Sequence, residues 1–274
     1  MRFVLPFTFY LLPFSFYLFP FTLLPSTPIP EPSYIPERRP VLPLERVGAL
    51  VEVLICSGLP TQVLLILVMR GFGMPMYGPE GRLSPPFVFT LSLLDAVLVI
   101  GLVLTFLRAH HESAREVLLG RVRLVREALI GLATLPAVFM LVTIVLVLVL
   151  RYAPQLHNVA TNPFEDMLRT RTDVMIFGIV VMIAGGVREE VQRGFIAHRF
   201  DQYLGGALWG VAIYSVFFGA GHIDQGYDAT VAIGLLGLVW GLLYIWRRSI
   251  VAPIVSHATF NLAQLLKYLA FAAR

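Results

Sequence analysis

Charge is scarce in this chain and cysteine is almost missing. Only 14% of its 274 residues are charged, while 57% are hydrophobic. A soluble domain of this size carries about 25% charged residues, so a water-exposed globule is excluded and a membrane setting is indicated. The formal charge of +4 is small, and the basic residues sit beside apolar runs, as membrane proteins place them, so no nucleic-acid partner is expected. A single cysteine, Cys56, excludes an intrachain disulfide, and its place inside an apolar run makes it a packing residue. No H-E-x-x-H occurs, and no inverted internal repeat of the kind that builds many transporters.

What the chain has in excess comes first at its N-terminus. Ten of the 19 prolines lie before Arg46, and from Leu5 a seven-residue repeat carries Pro6, Pro13 and Pro20. Proline at that density breaks a helix every two turns, so residues 1–43 make a poor span despite their hydrophobicity. With Arg2 as the only early basic residue and no small-residue cleavage site, they make a poor signal peptide as well. This segment is expected to be disordered and carries no functional argument.

From Leu44 onward apolar runs fall at about 46–69, 86–107, 128–151, 172–200, 207–222 and 229–270. The last divides at Arg247-Arg248-Ser249, and Gly58 with Pro60 should kink the first. The expectation is an all-α polytopic bundle of about seven spans, with residues 44–171 as N-terminal helices and 172–274 as a core. Basic residues orient it: Arg38, Arg39 and Arg46, the 108–127 connector, Arg193 with Arg199, and Arg247 with Arg248 all belong on the cytoplasmic side. The stretch 112–127 has a basic and an apolar face and is expected to lie along that surface.

Polar side chains inside a membrane are costly, and each is a functional candidate. Three groups stand out. Glu189, Glu190 and Arg193 lie in GGVREEVQRGF, where Arg193 can hold one carboxylate and leave the other for water or substrate. Phe218 with His222, and His257 with Asn261, are each spaced four apart and so share a helix face. Glu189 lies 16 residues before Gly205 and His222 lies 16 after Gly206, so a turn there sets both roughly 24 Å away, where they can meet. His257 stands eight residues past Ser249, roughly 12 Å in, a depth that agrees if the 189–222 hairpin extends about 12 Å beyond the membrane. Asp224 and Asp228, in the polar stretch IDQGYD, are expected to support a hydrated cavity.

These three groups, in order and each on its own helix, resemble those of the CPBP family of intramembrane metalloproteases, the CAAX-prenyl-protease and bacteriocin-processing (Abi-type) peptidases. The resemblance spans residues 172–270. It implies a four-helix catalytic core that hydrolyses a peptide bond of a membrane-associated or prenylated-type peptide, in a multi-pass protein of the bacterial plasma membrane. It further implies that Glu189 activates a water with help from His222, that His257 and Asn261 polarise the carbonyl or hold the oxyanion, and that Arg193 fixes Glu190. Glu189, His222 and His257 would suit a catalytic zinc with one open position, and the same groups can run a metal-free, glutamate-dependent hydrolysis. The expected partners are the lipid bilayer and a peptide or protein substrate.

The alternative function is a non-proteolytic scaffold or bacteriocin-immunity protein of the same fold. Glu52 and Asp95 read as interhelical contacts before they read as a substrate path, and His110, His111 and His157 fall in connectors, where they should be solvated.

Overall fold

The first apolar run is two helices, α1 (Pro43–Ile55) and α2 (Leu59–Gly71), bent by 43° where they meet. Gly58 sits at the bend with φ 85°, a left-handed conformation that glycine adopts without strain. Pro60 falls in the first turn of α2, where a missing N–H breaks no helical bond. The structure is a computed structural model that describes residues 40–78, 81–160 and 162–271, with side chains as far as Leu266. The proline-rich repeat therefore lies outside the described residues, as do Arg38, Arg39 and the Lys267 side chain.

Next come α3 (Pro85–Ala109), α4 (Leu124–Tyr152), the single turn α5 (Pro163–Met167) and α6 (Arg171–Val181). A seven-residue π turn, Met182–Arg188, then passes without a break into α7 (Glu189–Tyr203). The chain ends with α8 (Ala207–Ala220), α9 (Tyr227–Arg247) and α10 (Val251–Phe271). The described residues hold no β-strand, only an isolated bridge between Tyr77 and Leu83.

The fold is an all-α bundle of a multi-pass membrane protein. Among the described residues α3, α4 and α9 are long and apolar enough to cross a membrane, and the bent α1–α2 pair makes a fourth if it counts as one. Apolar α8 and α10 are shorter. The 172–200 run falls out for a different reason. It is α6, a π turn and then α7, and α7 carries two glutamates, two arginines and a histidine. Tertiary packing rather than lipid covers those groups.

The helical hairpin at Gly205-Gly206 forms as its glycines require, with φ 100° and 120° at the turn. α8 and α9 then approach closely through small residues: a Cβ at Gly219 would stand 2.6 Å from the Thr230 carbonyl, and one at Gly241 would stand 2.3 Å from Val211.

Two expectations about the connectors are corrected. The 112–127 stretch holds a five-residue π turn, Arg115–Leu119, and no surface-lying helix. It is clamped to the α9–α10 junction: Ile250 N–H donates to the Leu118 carbonyl at 2.8 Å, and Tyr244 O–H to that of Val117 at 3.0 Å. Nor are His110 and His157 merely solvated. His110 Nε2 lies 2.6 Å from Glu52, and His157 Nδ1 lies 2.6 Å from Asp228.

The N-terminal helices are joined to α7 by buried charge. Asp95 on α3 pairs with Arg188 at 2.5 Å and accepts from the Thr61 hydroxyl on α2. Glu52 on α1 accepts from Arg199 Nε at 2.6 Å. Arg199 is fully buried and also donates to Glu112 at 2.6 Å, an oxygen pair shared with His198 and Gln202. Glu52 and Asp95 are thus interhelical ion pairs, at a separation in sequence that no local pattern reveals.

Candidate active site

α7 presents two polar stripes. Arg188, Gln192 and Arg199 recur at helical spacing on the stripe that meets α1–α3, where Gln192 donates to the Cys56 carbonyl at 2.6 Å and accepts from Tyr214 at 2.7 Å. Glu189, Glu190 and Arg193 lie on the other stripe, toward α8, α9 and α10. Arg193 forms an ion pair with Glu190, both 1% exposed. The guanidinium stands over the rings of Phe218 at 4.8 Å, Tyr214 at 5.6 Å and Trp240 at 5.8 Å. These π faces meet Arg193 Nε and Nη2, which have no hydrogen-bond acceptor.

His257 on α10 closes this group. Its Nδ1 lies 2.8 Å from Glu190 and its Nε2 lies 3.7 Å from Glu189. An ionised carboxylate only accepts, so Nδ1 carries a proton directed at Glu190. The separation from Glu189 is too long for a hydrogen bond, and one water can touch both groups. His222 stands just past α8, where its Nδ1 donates to the Phe218 carbonyl at 2.7 Å. Since a carbonyl cannot donate, this bond assigns the proton to Nδ1 and leaves Nε2 as the acceptor in the neutral ring.

Asn261 lies one turn beyond His257 and packs on the π turn. A Cβ at Gly185 would stand 2.6 Å from Asn261 Nδ2, and one at Gly186 would stand 2.7 Å from the Ala258 methyl. The Gly185-Gly186 pair therefore lets α10 come against the turn that feeds α7. π turns of this kind recur at functional sites because they re-aim the side chains that follow.

Glu189, His222, His257 and Asn261 line one cavity of about 450 Å³. Glu190 and Arg193 stand behind it, buried and paired. Apolar side chains from six helices complete the wall, including Val88, Val142, Phe177, Phe218, Leu236 and Leu265, and the 162–168 segment crosses it with Asn162, Phe164 and Leu168. Gln225, not Asp224, is the residue of the IDQGYD stretch that reaches the cavity, where it accepts from Asn162 at 2.9 Å. Asp228 instead accepts from the Ala229 N–H at the start of α9 and meets His157.

Among the described residues no three of His, Cys, Asp and Glu are grouped closely enough to hold an ion. His222 Nδ1 and His257 Nδ1 are each bonded to another partner, which leaves Nε2 as the open nitrogen of each ring.

Several residues of this site escape sequence reading. Trp240 stacks on His257, ring centroids 3.7 Å apart and planes 17° from parallel. Arg188 adjoins the glutamates yet turns to Asp95. The Gly185-Gly186 doublet was the visible signal of close approach, and nothing in the spacing pointed to Trp240.

The fold and site define a multi-pass helical membrane protein with a glutamate–histidine–asparagine centre opening on a cavity. Its C-terminal helices are similar to a known family: the model for Type II CAAX prenyl endopeptidase Rce1-like proteins, of the CPBP family, matches residues 171–263. The match begins at the first residue of α6, ends within α10 and leaves α1–α5 outside. No curated protein and no solved structure matches the chain.

Proposed function

We propose that this protein is an intramembrane endopeptidase that hydrolyses a peptide bond of a membrane-associated peptide, with water activated by Glu189. The observation that carries the proposal is the placing of Glu189, His222, His257 and Asn261 on the wall of one cavity, in a segment of a CAAX-type protease family. The apolar remainder of the wall suits a substrate with a lipid-like or strongly apolar portion.

In this reading a water touches Glu189 and the nearby ring of His257. Glu189 takes its proton as the hydroxide attacks the scissile carbonyl carbon, and then delivers that proton to the leaving amine. The His222 ring, its Nδ1–H held by Phe218, turns Nε2 to the water as a second acceptor. Asn261 Nδ2 supplies an N–H donor for the oxyanion, an interaction that strengthens as charge develops on oxygen. Glu190, paired with Arg193, holds His257 Nδ1, and neither touches the reacting atoms. The setting proposed is a bacterial plasma membrane, with the basic connectors on the cytoplasmic side.

The test is hydrolysis of a peptide library by the full-length protein purified in detergent, wild type beside Glu189→Gln, with metal content measured on the same samples. Cleavage that falls by on the order of 10²–10⁴ in the variant supports the proposal. Cleavage that survives Glu189→Gln removes Glu189 as the base, and a well-folded wild type that cleaves no peptide counts against the peptidase.

A further inference from the structure

Beyond Glu189, His222, His257 and Asn261, we propose that Trp240, on the wall of the same cavity, is a positioning residue that sets the plane of the His257 ring, and that it is held in turn from α4 through Ser256 and Thr134. This rests on the peptidase reading for its kinetic consequence, while the arrangement itself can be tested without any substrate.

The geometry is specific. The Trp240 indole and the His257 imidazole are stacked at 3.7 Å, closer than any other ring pair described, and both residues are buried. Phe218 meets the imidazole edge-on at 88° and 6.3 Å. One face of the imidazole is thus covered, and rotation about its Cβ–Cγ bond would drive it into the indole. That rotation is the motion that would carry Nε2 away from Glu189 and Nδ1 away from Glu190, since both nitrogens lie in the ring plane. Glu190 holds the ring at Nδ1 only, and Glu189 at 3.7 Å is too far from Nε2 for a hydrogen bond.

Trp240 is itself fixed by a directed chain of hydrogen bonds. Its Nε1–H donates to Ser256 Oγ at 3.1 Å. Ser256 Oγ lies 2.9 Å from Thr134 Oγ1, which lies 2.6 Å from the Gly131 carbonyl. A hydroxyl has one proton and a carbonyl has none to give, so Thr134 donates to Gly131 and Ser256 donates to Thr134. Every member then has a partner, and the chain runs one way, from indole N–H to the α4 backbone. α4 can reach so far because Gly131 has no side chain: a Cβ there would stand 2.5 Å from the Ala252 carbonyl. A helix outside the family match thereby reaches the site. Ser256 is adjacent to His257 in sequence, so the chain also fixes the backbone that carries the imidazole.

The experiment combines NMR of the histidine ring C–H groups with peptide hydrolysis, on full-length protein in detergent. The His257 signals are identified by their absence from His257→Gln, and the variants are Trp240→Leu, Trp240→Phe, Ser256→Ala and Thr134→Val. In wild type the His257 protons should be displaced by the indole ring current. Trp240→Leu should abolish that displacement and lower kcat at least about tenfold, with KM within about twofold, the signature of lost orientation rather than lost binding. Trp240→Phe, which keeps an aromatic face, should restore most of the rate, and Ser256→Ala and Thr134→Val should each cost less than Trp240→Leu. The melting temperature of each variant is taken first, and Trp240→Phe and Ser256→Ala carry the test if Trp240→Leu does not fold. Unchanged His257 signals in Trp240→Leu, or signals that move while kcat stays the same, would overturn the proposal and leave the peptidase reading standing. If wild type cleaves nothing, that reading fails by itself, and the His257 signals still decide whether Trp240 sets the ring.

Discussion

The two stripes of α7 carry similar residues and are built for opposite ends. On the stripe toward α1–α3, Arg188 and Arg199 are buried and each meets a carboxylate from another helix, Asp95 for one and Glu52 with Glu112 for the other. On the stripe toward α8–α10, Arg193 and Glu190 pair within the helix itself, and Glu189 faces a cavity with His257 Nε2 3.7 Å away. A buried charge that is ion-paired to a carboxylate from a distant segment is anchored, and removing one partner strands the other. A charge left half-satisfied beside a cavity has capacity to spare for a water or a substrate. What separates structure from chemistry on this helix is therefore whether the partner is already present, not residue type or depth.

The comparison can be broken most sharply at Arg199. Replacing Arg199 with Leu strands Glu52 and Glu112 and should cost about 3–5 kcal/mol of stability, read as a fall in melting temperature in detergent. Hydrolysis per folded molecule should be nearly unchanged. A variant that melts normally but loses activity would move Arg199 from the anchoring stripe to the reacting one.

Gly185→Ala tests the opposite stripe. The added methyl would stand 2.6 Å from Asn261 Nδ2, the far end of a side chain that can swing away, so stability should change little. With Asn261 displaced, hydrolysis should fall by on the order of 10²–10³, the usual effect of losing an oxyanion donor. Full activity in Gly185→Ala would remove Asn261 from the oxyanion role.

The smallest effect concerns Glu112, in the connector outside the spans. Burial alone would raise its pKa, but hydrogen bonds from His198, Arg199 and Gln202 outweigh it and lower the value to about 2. The unfolded value is about 4.3, so Glu112 stabilises the fold at neutral pH, and that contribution fades as pH falls from about 4.3 toward 2. The melting-temperature gap between wild type and Glu112→Gln should be widest near neutrality and shrink below about pH 4. A gap that grows on acidification would contradict the anchoring role of this end of α7.

Much of the site could be read without coordinates, because its signals are local. Phe218 with His222 and His257 with Asn261 show a helix face by spacing alone, and Arg193 stands one turn from Glu190. The Gly205-Gly206 hairpin, the bend at Gly58 and the break between α9 and α10 follow from glycine, proline and paired arginines. Less could be read where a contact joins distant segments. Arg199 meets Glu52 from 147 positions away and Thr134 meets Ser256 from 122. Helix length is a further point that hydropathy leaves open: α8 and α10 are apolar but shorter than a full span among the described residues.

The residue pattern by itself determined the helical class, the membrane setting and which polar side chains gather at the candidate site. These depend on composition and on spacings of three or four residues, which the helix converts directly into shared faces. Only the tertiary structure decided which charges are spent on one another, which nitrogen of each histidine is free and what holds His257 in plane. Those outcomes depend on distances of a few ångströms between helices far apart in the chain, which close packing sets and local sequence does not encode.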